Sequence, residues 1–280
     1  MTTHSHDSLP DLAISTVVHY SDLWLLERLL ISLAGALELT GLSRTDLICV
    51  DHSQDAEYAA RGLAVCDRHQ GAGGLNIQWL RAPTNSGYGA GHNVALRQVS
   101  SRFHLLLNPD VEFDETALQL ALDYLRSAPE LAVLAPIAFN AQGNREYLAK
   151  DYPSVMVLAV RAFTPEWVKR LSHKALARYE MRAVESPTLC RPIFLASGCC
   201  MWVRRDLLDA AGGFDDAYFL YFEDFDLSLR LSEFGALIEH SGVRITHAGG
   251  NASRKGWRHI WWFSRSAVRF FQKWGWRWFG

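Results

Sequence analysis

The stretch FHLLLNPDVEFD, residues 103–114, decides the fold. Phe103 to Leu107 is an unbroken apolar run, the pattern of a strand covered on both faces. Pro109 cannot continue a hydrogen-bonded ladder, so the strand stops and Asp110 projects at its end. A carboxylate there can begin a turn, cap the helix after Asp114, or offer hard oxygen to a cation bridging two phosphates.

Toward the N-terminus, strand and helix patterns alternate. Leu12 to His19 is a short β-rich run, and Asp22 to Leu39 has helical spacing at Leu25, Leu26, Leu29, Leu30 and Leu33. Asp46 to Asp51 reads as a strand ending in a carboxylate, Ala56 to Arg68 as a helix and Leu75 to Leu80 as a strand. A glycine-rich loop precedes a helix expected over His92 to Val99. This order predicts an α/β fold, a Rossmann-like, mostly parallel central sheet with helices on both faces. Ligands of such sheets sit beyond the carboxyl ends of the strands. Three polar segments fall there: Asp51-His52-Ser53, Asn85 to Asn93, and Asn108-Pro109-Asp110. Together they point to one shared site.

Toward the C-terminus, Pro153, Pro165, Pro187 and Pro192 punctuate residues 140–191, read as an insertion shaping one side of that site. A strand over Ile193 to Val203 and a helix over Glu223 to Phe234 restore regular structure. In YFLYFEDFDLSLRL (218–231), Glu223, Asp224 and Asp226 follow a run of aromatics. Acidic residues in a first helical turn complement the helix dipole, and Asp226 can pair with Arg230 one turn on. Glu223 and Asp224, in a more apolar setting, can instead take a proton from a hydroxyl. His247 in RITHAGG (244–250) is either structural or a metal ligand beside close-approaching backbone. TNSGYGAGHN (84–93) could expose N–H groups to phosphate, but it matches neither the dinucleotide fingerprint nor a P-loop.

The bulk numbers set bounds. With 280 residues the chain can bury a full core in one domain, or at most two closely joined ones, and 49% apolar with 21% charged residues is globular composition. A net charge of -2 gives no reason to expect nucleic-acid binding. The five cysteines fit neither a zinc site nor a disulfide framework and read as reduced, mostly buried thiols. MTTHSHDSLPD does not read as a signal peptide, and no window of about 18 apolar residues suggests a membrane span.

Taken in order, VDHS (50–53), NSGYGAGHN (85–93), LLLNPDV (105–111), SGCCMWVRRDLLDAAGGFDDAYFLYFEDFDLSLR (197–230) and TH (246–247) resemble glycosyltransferase family 2, with its GT-A fold and inverting chemistry, and its bacterial rhamnosyltransferase-like branch most. The likeness runs from Ile14 to about Trp274. It implies a GT-A domain over 12–253, with a nucleotide-binding half (12–111) and an acceptor and catalytic half (112–253) carrying the insertion. Residues 1–11 would be a flexible N-terminus and 254–280 an amphipathic aromatic and basic helix.

The roles it implies are specific. Asp224 matches the catalytic base, with Glu223 beside it. Asp110 would hold Mg²⁺ or Mn²⁺, with His247 a further metal-side position. Donor contacts would come from Asp51, Ser53, Asn85, Gly87, Gly89, His92, Asn93, Asn108, Asp110, Ser197, Gly198 and Arg254. Asn108 replaces the first acidic residue of the family's Asp-X-Asp motif, one strong carboxylate fewer. His52 stands where Asn or Asp is frequent, so base preference stays open. The branch uses dTDP-L-rhamnose most often, with a polyprenyl-diphosphate-linked saccharide of a surface polysaccharide as acceptor. A UDP-hexose donor, or a silent nucleotide-sugar or glycan-binding protein, stays open, as does a scaffold subunit. A sugar nucleotidyltransferase would need a basic glycine-rich loop after the first strand, where this chain has HYSDLWLLERL (19–29).

The C-terminal segment RKGWRHIWWFSRSAVRFFQKWGWRWFG (254–280) carries tryptophan among cations, with no acidic residue after Glu239. Trp261, Val268 and Phe271 are expected in the core. Trp276, Trp278 and Phe279 are expected at a membrane surface or partner. With the family's acceptors, this places the protein in the cytoplasm, peripherally on the inner face of the membrane.

Overall fold

The computed structural model describes residues 9–182, 190–248 and 256–279. Among them the chain runs β1 (Leu12–Val18), α1 (Leu23–Glu38), β2 (Thr45–Asp51), α2 (Ala56–Arg68), β3 (Leu75–Arg81), α3 (Tyr88–Leu96), β4 (Phe103–Leu107), β5 (Val111–Phe113), α4 (Ala117–Ser127), β6 (Leu131–Asn140) and β7 (Arg145–Glu146). It continues through α5 (Val155–Phe163), α6 (Glu166–Leu171), α7 (His173–Tyr179), β8 (Cys190–Pro192), β9 (Cys200–Arg204), α8 (Arg205–Ala210), α9 (Glu223–Leu231), β10 (Ala236–His247) and α10 (Trp257–Trp274).

One sheet runs β3-β2-β1-β4-β9-β6-β10-β5, with β7 on β6 and β8 on β10. The pairs among β1 to β4 are parallel, as is β6 with β10. β9 runs antiparallel between β4 and β6, and β5 antiparallel to β10. Strand order reverses at β1, whose neighbours are β2 and β4, which opens a crevice at the carboxyl ends.

The 103–107 run is buried throughout because both faces are covered. Leu105 and Leu107 pack with Leu26, Leu30, Leu33, Leu118 and Leu122 of α1 and α4. Leu106 points the other way, to Met201, Phe214 and Leu227. Each leucine buried in this way contributes roughly 1.5–3 kcal/mol before entropy is charged against it. Asp22 and Asp55 start α1 and α2 by accepting from Trp24 N–H at 2.9 Å and Glu57 N–H at 2.8 Å.

Several boundaries differ from the sequence expectation. α3 begins at Tyr88 rather than His92, so Gly89 and Gly91 lie inside the helix. They serve close packing: a Cβ on Gly89 would lie 2.8 Å from Phe214 Cβ, and one on Gly91 2.7 Å from a Val17 methyl. Of the strand expected over Ile193 to Val203 only β9, from Cys200, is formed; residues 193–199 are the loop that joins it to β8. That loop's N–H groups turn to α9: Ala196 N–H donates to Ser228 Oγ at 3.1 Å. In the N-terminal stretch, Asp11 pairs with Arg126 at 2.6 Å.

α5, α7 and α10 form a satellite layer beside the aromatic run, with Tyr218 and Phe222 packed on Phe270 and Phe271. Phe271 is buried as expected, but Trp261 and Val268 are exposed at 51% and 44%. Phe263, Phe270 and Trp274 supply the inward face of α10 instead, so Trp257, Trp261 and Val268 form the opposite stripe. Beyond α10, Trp276 stacks between Phe271 and Trp278, with ring centroids 5.4 and 5.6 Å away. The carbonyls of Arg277 and Trp278 accept from the Val155 and Met156 N–H groups that open α5. Among the described residues no helix is long and apolar enough to cross a membrane. No disulfide joins the cysteines among the described residues, and all of them but Cys190 are buried.

Candidate active site

A cleft of about 730 Å³ opens at the carboxyl ends of the strands. Asn108, Asp110, Ser197, Gly198, Glu223, Asp224 and His247 all line it. These residues come from four separate stretches of chain, and sheet register explains the meeting. β5 pairs antiparallel with β10 so that Val111 faces His247, setting Asp110 beside the imidazole. β9 pairs with β4 so that Cys200 faces Leu107, and Asn108 N–H donates to Cys199 O at 2.8 Å.

Asp224 is held from two sides. Its Oδ2 accepts from Gly198 N–H at 3.0 Å and its Oδ1 from Phe225 N–H at 2.9 Å. Tyr88 Oη donates to Gly198 O at 2.7 Å, bracing the same peptide. Burial pushes the Asp224 carboxyl up, and these N–H groups oppose it. Burial, then the charge of Asp224, pushes Glu223 well above the ordinary carboxyl range, and Glu223 Oε2 is buried without a hydrogen-bond partner. Such a pair divides labour, one member keeping its proton while the other stays ionised.

The backbone leading to the pair is strained. Tyr221 and Phe222 have φ of 71° and 67°, left-handed values that cost a bulky residue of order 1–3 kcal/mol each. The buried ring of Phe222, against Phe225, Phe263 and Phe270, holds that turn in place.

At the other wall, His247 Nε2 lies 3.4 Å from Asp110 Oδ1 and Nδ1 lies 2.8 Å from Glu146 Oε2. Burial alone would lower the imidazole, but Cys199, Asp110 and Glu146 together raise it. Asp110 Oδ1 is buried with no hydrogen-bond partner. A carboxylate on one imidazole nitrogen, leaving the other beside an orphaned carboxylate oxygen, is the arrangement of a metal-ligating histidine. Among the described residues no set of three or more His, Cys, Asp or Glu side chains could hold an ion. Asp110 and His247 are two side chains that could hold a cation whose remaining shell is phosphate and water oxygen, the manner in which Mg²⁺ is commonly bound.

The remaining expected residues that the structure describes, Asp51, Ser53, Asn85 and Gly87 among them, lie outside the cleft lining. Asp51 ends β2, accepts from Ser53 N–H at 2.7 Å, and keeps a buried Oδ2 without a partner. Ser53 Oγ accepts from Asp55 N–H at 3.3 Å. Asn85 Oδ1 accepts from Gly87 N–H at 3.1 Å. Gly87 has φ 103°, and a Cβ there would sit 2.2 Å from Phe219 O. This contact joins the glycine-rich segment to the aromatic run, since Tyr88 N–H donates to Phe219 O at 3.1 Å.

Three of the expected contacts are turned to packing. His92 is fully buried, accepts or donates at 2.6 Å to Ser15 Oγ, and stacks on Phe214; burial lowers it to about 3. Asn93 is engaged with the Phe214 backbone and with Asp216. Gly89 packs on Phe214. None of the three lines the cleft. Arg254 lies outside the described residues. Asp226, read as structural, pairs with Arg230 at 2.8 Å and with Trp274 Nε1 at 2.9 Å.

Tyr88, Glu146 and Lys150 line the cleft and were missed. Tyr88 had a signal, as the one hydroxyl-bearing aromatic in the glycine-rich segment. Glu146 had a weak one, a glycine-bearing turn over 141–144 that folds β7 back on β6, and Lys150 had none, because its bridge to Leu195 is long-range.

Comparison with known proteins follows the same lines. Residues 25–212 match the family model described as Glycosyl transferase family 2. An N-acetylglucosaminyl-diphospho-decaprenol L-rhamnosyltransferase of Mycobacterium tuberculosis is 28% identical over 174 residues, covering 58% of this chain and 55% of that protein. Rhamnosyltransferase WbbL of Escherichia coli is 24% identical over 162 residues, 55% of this chain and 57% of that protein. The chain spans about half the length of these curated relatives. Among solved structures, GalNAc-T7 with UDP, GalNAc and Mn²⁺ aligns with TM-score 0.64 at 14% identity, over 97% of this chain and 49% of that one. The mannosyltransferase PcManGT from Pyrobaculum calidifontis, in complex with GDP-Man and Mn²⁺, gives 0.61 at 15%, over 97% and 67%. At those identities the likeness is one of fold, and the fold is GT-A.

Proposed function

This chain belongs to glycosyl transferase family 2, and from that premise we propose that it is an inverting, divalent-metal-dependent glycosyltransferase using a nucleotide-diphosphate sugar. One observation carries the reading: Asp110 and His247 face the same cleft as Asp224, which is held by two backbone N–H groups.

In the proposed reaction Asp224 accepts the proton of the acceptor hydroxyl. That oxygen bonds to the anomeric carbon as the bond to the donor's diphosphate oxygen breaks, and the electron pair leaves with the diphosphate. A single displacement inverts the anomeric centre. Asp110 and His247 would hold Mg²⁺ or Mn²⁺, which when bound offsets charge on the leaving diphosphate. Glu146 orients His247, and Glu223 keeps its proton and spares Asp224 a second negative neighbour. Asp51, with its orphaned Oδ2, would meet the nucleobase, and Asn108, Ser197 and Gly198 would line the sugar.

The names of the mycobacterial and E. coli relatives support L-rhamnose as the sugar, with dTDP-L-rhamnose the donor, and the mycobacterial name supports a diphosphate-linked lipid as acceptor carrier. A surface polysaccharide is then the product. The exposed stripe Trp257, Trp261 and Val268, with Trp278 and Phe279, supports peripheral contact with the cytoplasmic membrane surface through α10 and the tail.

The test is a thermal-shift screen of dTDP-L-rhamnose, UDP-hexoses and GDP-mannose with Mg²⁺ or Mn²⁺. Selective, metal-dependent stabilisation by one nucleotide sugar is expected. No stabilisation by any of them would remove the reading.

A further inference from the structure

One corner of the cleft carries charge that the proposed chemistry does not use. Arg145, Lys150, Arg161 and Arg182 line it, from β7, the segment after it, α5 and the end of α7. Lys150 is 7% exposed, and its ammonium donates to Tyr147 O. The guanidinium groups of Arg145 and Arg182 each lie 5.4 Å from the centre of the Tyr147 ring. Only two carboxylates serve the cluster among the described residues. Glu180 is shared by Arg161 at 3.5 Å and by Arg182, and Glu239 is shared by Arg145 at 3.1 Å and Arg191 at 2.6 Å. Arg145 Nε is buried without a hydrogen-bond partner.

The surplus is felt by the lysine. Burial first, then Arg161, lowers Lys150 to about 8. Like charges gathered around one buried ammonium, with the arginines partly exposed, repel one another until an anion lies among them.

Position tells which anion. Lys150 and Leu195 exchange backbone hydrogen bonds at 2.9 and 3.1 Å, three residues before the Gly198 N–H that holds Asp224. The positive charge of Lys150 reaches Asp224. The cluster thus flanks the proposed base, whereas Asp110 and His247 mark the place of the donor's phosphates.

We propose that Arg145, Lys150, Arg161 and Arg182 form an anion subsite that binds a phosphate or diphosphate group carried by the acceptor. The word acceptor rests on the glycosyl-transfer reading; the anion site itself does not.

Two measurements separate these parts. Calorimetry with inorganic pyrophosphate in EDTA reads the site without metal or donor. Binding is expected in the wild type, at least tenfold weaker in an Arg161→Gln, Arg182→Gln double variant, and unchanged in Asp110→Asn. Both arginines are half-exposed, so the double variant should fold. Absent binding, or equal binding by the double variant, overturns the subsite whatever the enzyme's activity. Steady-state kinetics then assigns the source, using a diphosphate-linked saccharide and the matching uncharged alkyl glycoside as acceptors. The double variant should raise KM for the diphosphate acceptor at least tenfold, with KM for the uncharged acceptor and the donor within twofold. A raised donor KM instead would give the cations to the donor's diphosphate and overturn the acceptor assignment. A wild type that binds pyrophosphate but transfers to neither acceptor would fail the glycosyl-transfer reading and leave the anion site standing.

Discussion

The backbone N–H of Gly198 donates to Asp224 Oδ2 at 3.0 Å, across 26 residues of chain. A Cβ on Gly198 would lie 3.1 Å from Tyr88 Cε1 and 3.4 Å from Asp224 Cβ, so a side chain there would crowd both neighbours. The loop between β8 and β9 thus aims the carboxylate at the cleft, and this fixed orientation lets its charge act as a base on a bound hydroxyl.

Asp224→Asn matches the side chain in size, removes the basic oxygen and can accept from only one of the two N–H groups. Transfer rate is expected to fall about 10²- to 10⁴-fold. Donor affinity by calorimetry should stay within about twofold, since uniform binding is untouched. Near wild-type turnover would reassign the base.

Glu146→Gln leaves His247 in place but takes the charge from its Nδ1 partner. Losing an outer carboxylate typically costs about 10- to 100-fold in metal affinity. Mn²⁺ titration followed by electron paramagnetic resonance, with nucleoside diphosphate present, should read that loss. An unchanged isotherm would leave Glu146 a packing residue.

Gly87→Ala must place a Cβ 2.2 Å from Phe219 O at φ 103°. Neither the backbone nor a carbonyl can yield cheaply, so a stability loss of about 2–4 kcal/mol is expected in urea unfolding. Gly143→Ala, with φ 78° but open space around it, should cost about 1 kcal/mol. Equal losses would mean that the contact with Phe219 is dispensable.

Lys150 stands at about 8 in the folded chain against an ordinary 10.5. Between those values the unfolded chain binds more protons, so wild-type stability rises with pH there. Below about 8 both states are protonated and the cost of burying the charge is fully present. Lys150→Met removes that cost, so its stability relative to wild type should fall by roughly 1–3 kcal/mol between pH 7 and pH 10. A gap independent of pH would show that burial does not perturb the lysine.

Trp278 and Phe279 are 58% and 77% exposed, while the carbonyls of Arg277 and Trp278 cap α5. Serine at 278 and 279 keeps those carbonyls and removes the rings. Flotation with anionic liposomes should recover less of this double variant than of wild type. Equal recovery would remove the tail from membrane contact.

Much of the site was legible because strand ends announce themselves. Asp51 closes the buried β2, Asp110 follows the buried β4, His247 closes β10, and Asp224 opens a helix after a run of aromatics. The register of β5 on β10 then does what no local pattern reveals, setting His247 against Asp110. His92 misled because its neighbours Gly89 and Gly91 look like a flexible loop, yet they admit Phe214 and Val17 and draw the imidazole into the interior. On α10, two apolar stripes compete for the core, and contacts distant in sequence, such as Phe263 and Phe270 on Phe222, decide between them. Glu146 lies on a short hairpin with β6 that a local turn sets up, whereas the partner of Lys150, Leu195, is set by tertiary structure alone.

The most direct test is anomalous diffraction from crystals grown with Mn²⁺ and a nucleotide-diphosphate sugar. A single strong peak within coordination distance of Asp110 and His247, with the sugar's anomeric carbon turned toward Asp224, is the expected result. A peak elsewhere, or a sugar lying away from Asp224 with the metal bound, would contradict the account.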